Sequence, residues 1–257
     1  MADISPQAVA KARQQLGVPD DHICRSIGII MDGNGRWAQQ RGLSRSAGHQ
    51  AGAKIVRRIV TEAARLGLDA LTLYSFSIEN WARPAEEVST LMHLYAEYLA
   101  QERPTVMDHN IRMRHLGQRD GLPAMVLKEL DETLQASAAN TGMYLCLALN
   151  YGSRVEITDA IRRMAAGVKA GRLDPESIDP AVISSYLDTA GVPDPDLVIR
   201  TSGEMRVSNF LLWQISYAEF YVTDVYWPDF TEEELRKAIR DFAGRHRRFG
   251  GVEARKA

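Results

Sequence analysis

Short apolar runs alternate along this chain with longer stretches whose apolar residues recur at three- and four-residue spacing, and this alternation restricts the fold more than any other feature. The short runs Ser26–Met31, Ala70–Phe76, Ile111–Leu116, Met143–Leu149, Asp196–Arg200 and Glu219–Val225 read as strands. The stretches Gly48–Leu66, Pro84–Gln101, Pro123–Ala139, Arg154–Ala170 and Glu232–Arg247 read as amphipathic helices. A strand that is followed by a helix rejoins its sheet through a crossover, which sets neighbouring strands parallel. The expected fold class is therefore α/β, a single domain with a largely parallel central sheet flanked by helices. At 257 residues the chain is long enough to bury one sizeable core. Gly171–Pro195 carries four prolines and is the most loop-like span, with a short helix expected at Pro180–Thr189.

In open α/β sheets ligands bind beyond the carboxyl ends of the strands, so the residues after each strand are where chemistry is expected. After the first strand comes Asp32-Gly33-Asn34-Gly35-Arg36-Trp37-Ala38, followed by Arg45 and His49. Glycines let backbone N–H groups approach an anion, Arg36 adds a planar fork for phosphate oxygens, and Asp32 can hold the divalent cation that accompanies a diphosphate. After the second strand comes the polar and aromatic cluster Ser75 to Pro84, and after the fifth comes Arg200 to Asn209 with two arginines, two serines and a glycine. Three strand ends rich in Arg, Ser, Asn and Gly suit a pocket for more than one phosphate group. Simpler readings stand beside these: a plain turn or helix cap for Asp32, a packed histidine for His49, solvated charges for the arginines, and core aromatics for Phe76 and Trp81.

Two common nucleotide motifs fail. Gly33 to Ala38 begins like a dinucleotide fingerprint and has Ala38 in its last position, but no acidic residue follows at a strand end some ~20 residues on, since Glu62 falls inside a helical pattern. No phosphate-loop Gly-x-x-x-x-Gly-Lys-Ser/Thr occurs. The formal net charge of −2 provides no basic field for nucleic acid, so no nucleic-acid partner is expected. Two cysteines, Cys24 and Cys146, and a beginning without a basic-then-apolar leader pattern point to a cytoplasmic location. The apolar runs are too short to span a bilayer, so any membrane contact is expected to be peripheral, at the inner face.

The same segments carry a resemblance. Asp32–Ala38, Gly48-His49, Phe76-Ser77-Ile78-Glu79-Asn80-Trp81-Ala82-Arg83-Pro84, Asn150-Tyr151-Gly152-Ser153-Arg154 and Arg200 to Gln214 running on to Tyr217-Ala218-Glu219 closely resemble the cis-prenyltransferase family, over roughly Ile23 to Phe249. The resemblance implies a catalytic domain over 23–249 between an N-terminal extension, 1–22, and a tail, 250–257. It implies that isopentenyl diphosphate is condensed repeatedly onto an allylic diphosphate such as farnesyl diphosphate, with Mg²⁺, to a long cis product such as undecaprenyl diphosphate, a lipid carrier precursor. A homodimer is implied too, with the apolar run Phe210–Trp213 and the terminal segment Arg245 to Gly251 near the interface or active site.

Residue roles follow from the same resemblance. Asp32 and Asn80 are the expected catalytic residues, and Asp32 and Glu219 the expected metal carboxylates. Gly33, Asn34, Gly35, Arg36, Arg45 and His49 form the expected cradle for the allylic diphosphate, with Trp37 against the prenyl chain. Arg200, Arg206, Val207 and Ser208 form the expected isopentenyl diphosphate clamp, and Ser77, Ile78, Glu79, Trp81 and Arg83 flank Asn80. An amide is not basic enough to take a proton alone, so Asn80 is expected to orient or relay, with Ser77 or a diphosphate oxygen completing the path. An apolar tunnel is expected from Leu91, Leu94 and Tyr98 on one helix and Met143, Leu145 and Leu147 on one strand. Ile78, Ser153 and Met205 depart from the usual pattern. Two other readings remain at this level: a catalytically silent relative that binds a partner or prenyl lipid, and a phosphatase or nucleotide hydrolase using Asp32.

Overall fold

In the computed structural model, which describes residues 5–245, six strands form one sheet in the order β3-β4-β2-β1-β5-β6. They are β1 Ser26–Ile30, β2 Ala70–Ser77, β3 Arg112–Leu116, β4 Tyr144–Tyr151, β5 Leu197–Arg200 and β6 Glu219–Val222. Every neighbouring pair is parallel. The helices are α1 Pro6–Leu16, α2 Asn34–Gln40, α3 Arg45–Arg65, α4 Ala85–Asp108, α5 Ala124–Ala136, α6 Ser153–Lys169, α7 Pro180–Ser185 and α8 Glu232–Ala243.

Alternation along the strands divides the core in two. Ile27 and Ile29 of β1, Leu71 and Leu73 of β2, and Leu197 and Ile199 of β5 face α3 and α8, which bury Ile55, Ile59, Leu235, Ile239 and Phe242 against them. Ile30, Tyr74, Ala148 and Val198 point to the other face, covered by Phe210, Leu211 and Ile215. Gly28 is small for this reason, since a Cβ there would meet the Phe210 ring at 3.0 Å. Between β2 and β4 the register slips at Tyr74/Phe76, a bulge that turns Phe76 onto the α4 and α5 side with Val88, Met92 and Val126.

The helix ends follow local chemistry. The Ala47 N–H donates to Ser44 Oγ at 3.2 Å and starts α3; the Glu234 N–H donates to Thr231 Oγ1 at 3.4 Å and starts α8. Gly48 and Gly52 on α3 allow α2 to approach closely, because a Cβ at Gly48 would sit 2.1 Å from the Asn34 carbonyl oxygen. Elements differ from the sequence reading in several places. Asn34–Gln40, which the spacing assigned to no helix, is a helix that begins immediately after Gly33; α4 continues past Gln101 to Asp108 through Pro104; α7 stops at Ser185, β6 at Val222 and α8 at Ala243, with 246–247 outside the described residues. Within 1–22, α1 is capped by Ser5 and by left-handed Gly17 and buries Ala12 and Leu16 in the core.

Candidate active site

Register places the site. Ile30 lies beside Tyr74 of β2 and Arg200 of β5, so the segments that follow β1, β2 and β5 converge at one edge of the sheet. The Asp32 N–H donates to Thr201 Oγ1 at 2.9 Å while the Thr201 hydroxyl donates to the Asp32 carbonyl at 2.6 Å, which stitches the two loops together. Gly33 takes φ 101°, and a Cβ there would come within 2.6 Å of the Tyr226 ring, so both conformation and space require glycine.

Asp32 is ringed by arginines. Its Oδ2 accepts from Arg200 Nη2 at 2.9 Å, its Oδ1 accepts from the Gly33 N–H at 2.7 Å, and Arg36 and Arg206 stand at 3.5 and 4.0 Å. Burial pushes its pKa up, but the Arg200 hydrogen bond, the Gly33 N–H and the arginine charges outweigh it and hold the carboxyl below its ordinary value. Arg200, 4% exposed, also donates from Nη1 to Ser208 Oγ at 2.8 Å and to the Arg206 carbonyl. Its Nε is buried with no hydrogen-bond partner among the described residues, an orphaned donor at the base of the pocket. Ser202, Ser208 and Asn209 all adopt positive φ, so this loop concentrates backbone strain where its side chains converge. Glu204 pairs with Arg36 at 3.0 Å and also with Arg206, tying the two arginines together.

A second basic group faces the first. Glu87, in the first turn of α4, accepts from Arg45 Nε at 3.1 Å and from Arg83 Nη1 at 3.1 Å, with His49 Nε2 at 3.6 Å. Burial of His49, together with the Arg83 charge, pushes the imidazole down to about 4, so it is neutral near pH 7 and offers a hydrogen bond rather than a charge. Ser77, Glu79, Asn80 and Arg83 line the same cavity, and the Ser77 N–H donates to Asn80 Oδ1 at 3.2 Å. That contact leaves the Asn80 NH₂ as the group free to donate to a ligand.

The cavity measures about 660 Å³ and is bordered by Asp32 to Arg36, Arg45, His49, Arg200, Arg206 and Ser208. Past Ala53, Val56, Leu94 and Tyr95 it narrows into an apolar pocket of about 100 Å³ between α3, α4 and the sheet, walled by Leu73, Leu99, Leu145 and Leu147. Of the expected tunnel residues, Leu91 and Leu94 border the wide part, Leu94, Tyr98, Leu145 and Leu147 border the narrow part, and Met143 borders neither.

Five expected site residues stand away from the cavity. The Trp37 indole N–H donates to Asp229 at 2.7 Å under the Arg41 guanidinium, on the far side of α2. Trp81 donates to Asn150 Oδ1 at 2.7 Å and packs edge-on against Phe76; Ile78 packs at Gly152; Val207 packs against the core under Phe210. Glu219 begins β6 level with Leu197, three residues before the Arg200 level, about 10 Å along the strand at 3.3 Å per residue. It pairs with Arg245 at 2.9 Å. One chain therefore does not bring Glu219 together with Asp32. Phe210 and Leu211, expected at a dimer interface, are core residues. The sequence reading missed Glu87 and Glu204 as organisers of the arginines. Both stand within or beside the quoted motifs, but only the packing of α3 on α4 and the loop after β5 reveals their partners.

The donor set suits a hard divalent cation held jointly with a ligand. Among the described residues no three His, Cys, Asp or Glu side chains form a metal cluster, while Asp32 presents anionic oxygens at the mouth of an arginine-lined pocket. Mg²⁺ is commonly held by one or two carboxylates plus substrate phosphates and water, which this arrangement can supply.

A family model described as "Putative undecaprenyl diphosphate synthase" matches residues 30–250. The isoprenyl transferase of Geobacter sulfurreducens is 50% identical over 238 residues, covering 93% of this chain and 97% of that one. The isoprenyl transferase of Bacillus cereus (strain ATCC 10987 / NRS 248) is 49% identical over 235 residues and 91% of each chain. Among solved structures, lavandulyl diphosphate synthase from Lavandula x intermedia in complex with dimethylallyl diphosphate is similar with TM-score 0.87 and 36% identity, over 90% of this chain and 100% of that chain. A structure described as a probable undecaprenyl diphosphate synthase from Campylobacter jejuni is similar with TM-score 0.72 and 28% identity, over 88% and 98%.

Proposed function

The chain belongs to the undecaprenyl diphosphate synthase family of isoprenyl transferases, and from that premise we propose that it adds isopentenyl diphosphate repeatedly to farnesyl diphosphate, with Mg²⁺, to make a long cis-polyprenyl diphosphate such as undecaprenyl diphosphate. The observation that carries the reading is the continuity of a pocket lined by six cationic or imidazole side chains (Arg36, Arg45, His49, Arg83, Arg200 and Arg206) with an apolar pocket between α3 and α4. A prenyl diphosphate has the same two-part character.

In this reading Gly33 to Arg36 and the start of α3, with Arg45 and His49, receive the allylic diphosphate, and its tail lies toward Leu94 and Tyr95. Arg200, Arg206 and Ser208 receive isopentenyl diphosphate. The allylic carbon loses its diphosphate, which takes the bonding electron pair; a new carbon–carbon bond forms to the terminal alkene carbon of isopentenyl diphosphate, and one proton leaves that partner. Asn80 orients the reacting ends through its NH₂, while a diphosphate oxygen receives the proton, directly or through the Ser77 hydroxyl, which passes its own proton on as it takes one up. Asp32, with oxygens of the substrate, would hold Mg²⁺, which supplies positive charge to the departing diphosphate. We further propose a homodimer whose contacts include the exposed Tyr217 and Phe220 beside edge strand β6. Among the described residues no helix is long and apolar enough to cross a membrane, and peripheral release of the lipid product is the corresponding proposal.

The direct experiment is incubation with farnesyl diphosphate, labelled isopentenyl diphosphate and Mg²⁺, with and without EDTA, beside Asp32→Ala. A metal-dependent ladder of extractable products, reduced at least about 100-fold in the variant, is expected. Folded wild-type protein that incorporates no label with any allylic primer would overturn the proposal.

A further inference from the structure

The turn that carries Asn80 is short and needs outside support. Ile78–Ala82 is one turn of 3₁₀ helix, closed by the Arg83 N–H donating to the Asn80 carbonyl at 3.1 Å and by the Ser77 N–H donating to Asn80 Oδ1 at 3.2 Å. A helix of this length does not hold itself in water, because ordering the first turn costs more than its few hydrogen bonds return. Among the described residues, two side-chain hydrogen bonds fasten it outward: Trp81 Nε1 donates to Asn150 Oδ1 at 2.7 Å, and Glu79 Oε1 accepts from Asn209 Nδ2 at 2.9 Å. Trp81 ties the turn to the end of β4. Glu79 ties it to the loop after β5, 130 residues later in the chain.

Asn209 is held so that its amide faces Glu79. Its Oδ1 accepts from the Arg154 N–H at 2.9 Å, and its carbonyl accepts from the Ser153 N–H at 2.8 Å, both in the first turn of α6. A backbone N–H on one side and a carboxylate on the other fix the orientation of the amide, with oxygen toward α6 and nitrogen toward Glu79. Gly152 leaves the room for this, because a Cβ there would stand 2.7 Å from Asn209 Nδ2 and 2.8 Å from Ile78 Cδ1. Its φ of −160° is open to any residue, so space rather than conformation requires glycine. Ser208 and Asn209 adopt successive left-handed conformations, φ 48° and 60°, which asparagine tolerates better than serine. The bonds from Asn209 to α6 therefore also hold Ser208, whose Oγ accepts from Arg200 Nη1.

We infer that Asn209 and Glu79 are positioning residues that lock the Asn80 turn to the Ser208 loop. One loop receives the diphosphate of isopentenyl diphosphate, and the other carries the amide that orients its reacting end, so the pair sets the distance between the two. The inference rests on the reading of the site proposed above. Its mark is a loss in the chemical step larger than the loss in binding, because the clamp stays on α6 while Asn80 drifts.

Two measurements on the full chain test it, using wild type, N209D, E79Q and the exchanged pair N209D/E79Q. N209D keeps an oxygen for the Arg154 N–H and tolerates the left-handed backbone, but sets a second carboxylate against Glu79. The exchanged pair turns the hydrogen bond round, the glutamine amide donating to the aspartate, at the net charge of wild type. In the first measurement, the first condensation of farnesyl diphosphate with labelled isopentenyl diphosphate and Mg²⁺ is timed in a single turnover. N209D is expected to slow it at least about tenfold, with a smaller change in KM for isopentenyl diphosphate; E79Q is expected to slow it less than N209D, since its amide oxygen still accepts, and the exchanged pair to recover most of the loss. In the second, hydrogen exchange at the Ser77 and Arg83 amides is followed without any ligand. N209D is expected to speed it at least about fivefold, and the exchanged pair to slow it again. An N209D that matches wild type in either measurement, or an exchanged pair that recovers neither, overturns the inference. Wild type that incorporates no label defeats the elongation reading alone, because the two amides still report whether the pair holds the turn.

Discussion

His49 illustrates how one side chain near an anion site links folding to pH. Its folded pKa of about 4 lies below the ordinary 6.5, so the fold binds its proton less tightly than the unfolded chain does. The contribution is present above pH 6.5 and is lost as pH falls toward 4. At 1.36 kcal/mol per unit this amounts to at most about 3 kcal/mol. His49→Gln is expected to lose less stability than wild type between pH 7 and 4.5, as read from urea midpoints at each pH; parallel loss in both proteins would mean that other groups carry the acid sensitivity. Asp32 works in the opposite sense for function. Its depressed pKa keeps it anionic throughout that range, so acid acts first on His49.

At the scale of elements, the contact between α2 and α3 is the most sensitive joint of the site. Gly48→Ala would put a methyl 2.1 Å from the Asn34 carbonyl, pushing the cradle away from α3. Overpacking of this kind costs about 1–3 kcal/mol, and we expect a matching fall in thermal stability together with a raised KM for the allylic diphosphate. An unchanged KM would separate cradle position from substrate binding. The same joint explains what sequence reading could and could not recover. The strands and the longer helices were legible because their apolar spacing is set by burial, as at Ile27 and Ile29 or Ile55 and Ile59. Helix α2 was hidden, since Gly33-Asn34-Gly35 argues for a turn and only packing on Gly48 and Gly52 makes a helix there favourable. The helix read as ending at Gln101 likewise runs on through Pro104, because Val106 beyond it is buried in the core and holds the helix to Asp108. The motifs after β1, β2 and β5 were legible as a polar cluster, but not which side chains turn inward. Trp37, Ile78 and Trp81 sit within those motifs and are claimed by Asp229, Gly152 and Asn150. The place of Glu219 within one chain was not legible either, because a motif has no direction until strand order assigns it an end of the sheet.

For the molecule as a whole, the α3–α8 side of the sheet is bound by one buried carboxylate. Glu62 accepts from Arg65 Nε at 2.7 Å and Nη2 at 2.9 Å, and from Arg236 Nε at 2.7 Å. Burial raises its pKa, but the hydrogen bonds from Arg65 and Arg236 lower it further, to below its ordinary 4.5. Its contribution is thus present above pH 4.5 and lost as pH falls through the folded value. Glu62→Gln is expected to cost about 1–3 kcal/mol at pH 7, less than a fully buried pair because both arginines reach water, and to flatten the acid limb of stability; a variant that keeps the wild-type acid limb would exclude Glu62 as its source. The sheet order has a further consequence, for synthesis. β1, which leads into Asp32, has β5 as one of its two neighbours, and Ser26 is hydrogen-bonded to Asp196, 170 residues later in the chain. At roughly 5–20 residues per second a ribosome needs roughly ten to thirty seconds to close that gap. During that interval the edge of β1 that β5 will cover is unpaired, so the nascent chain passes through a window in which the strand leading into Asp32 is an open template for aggregation.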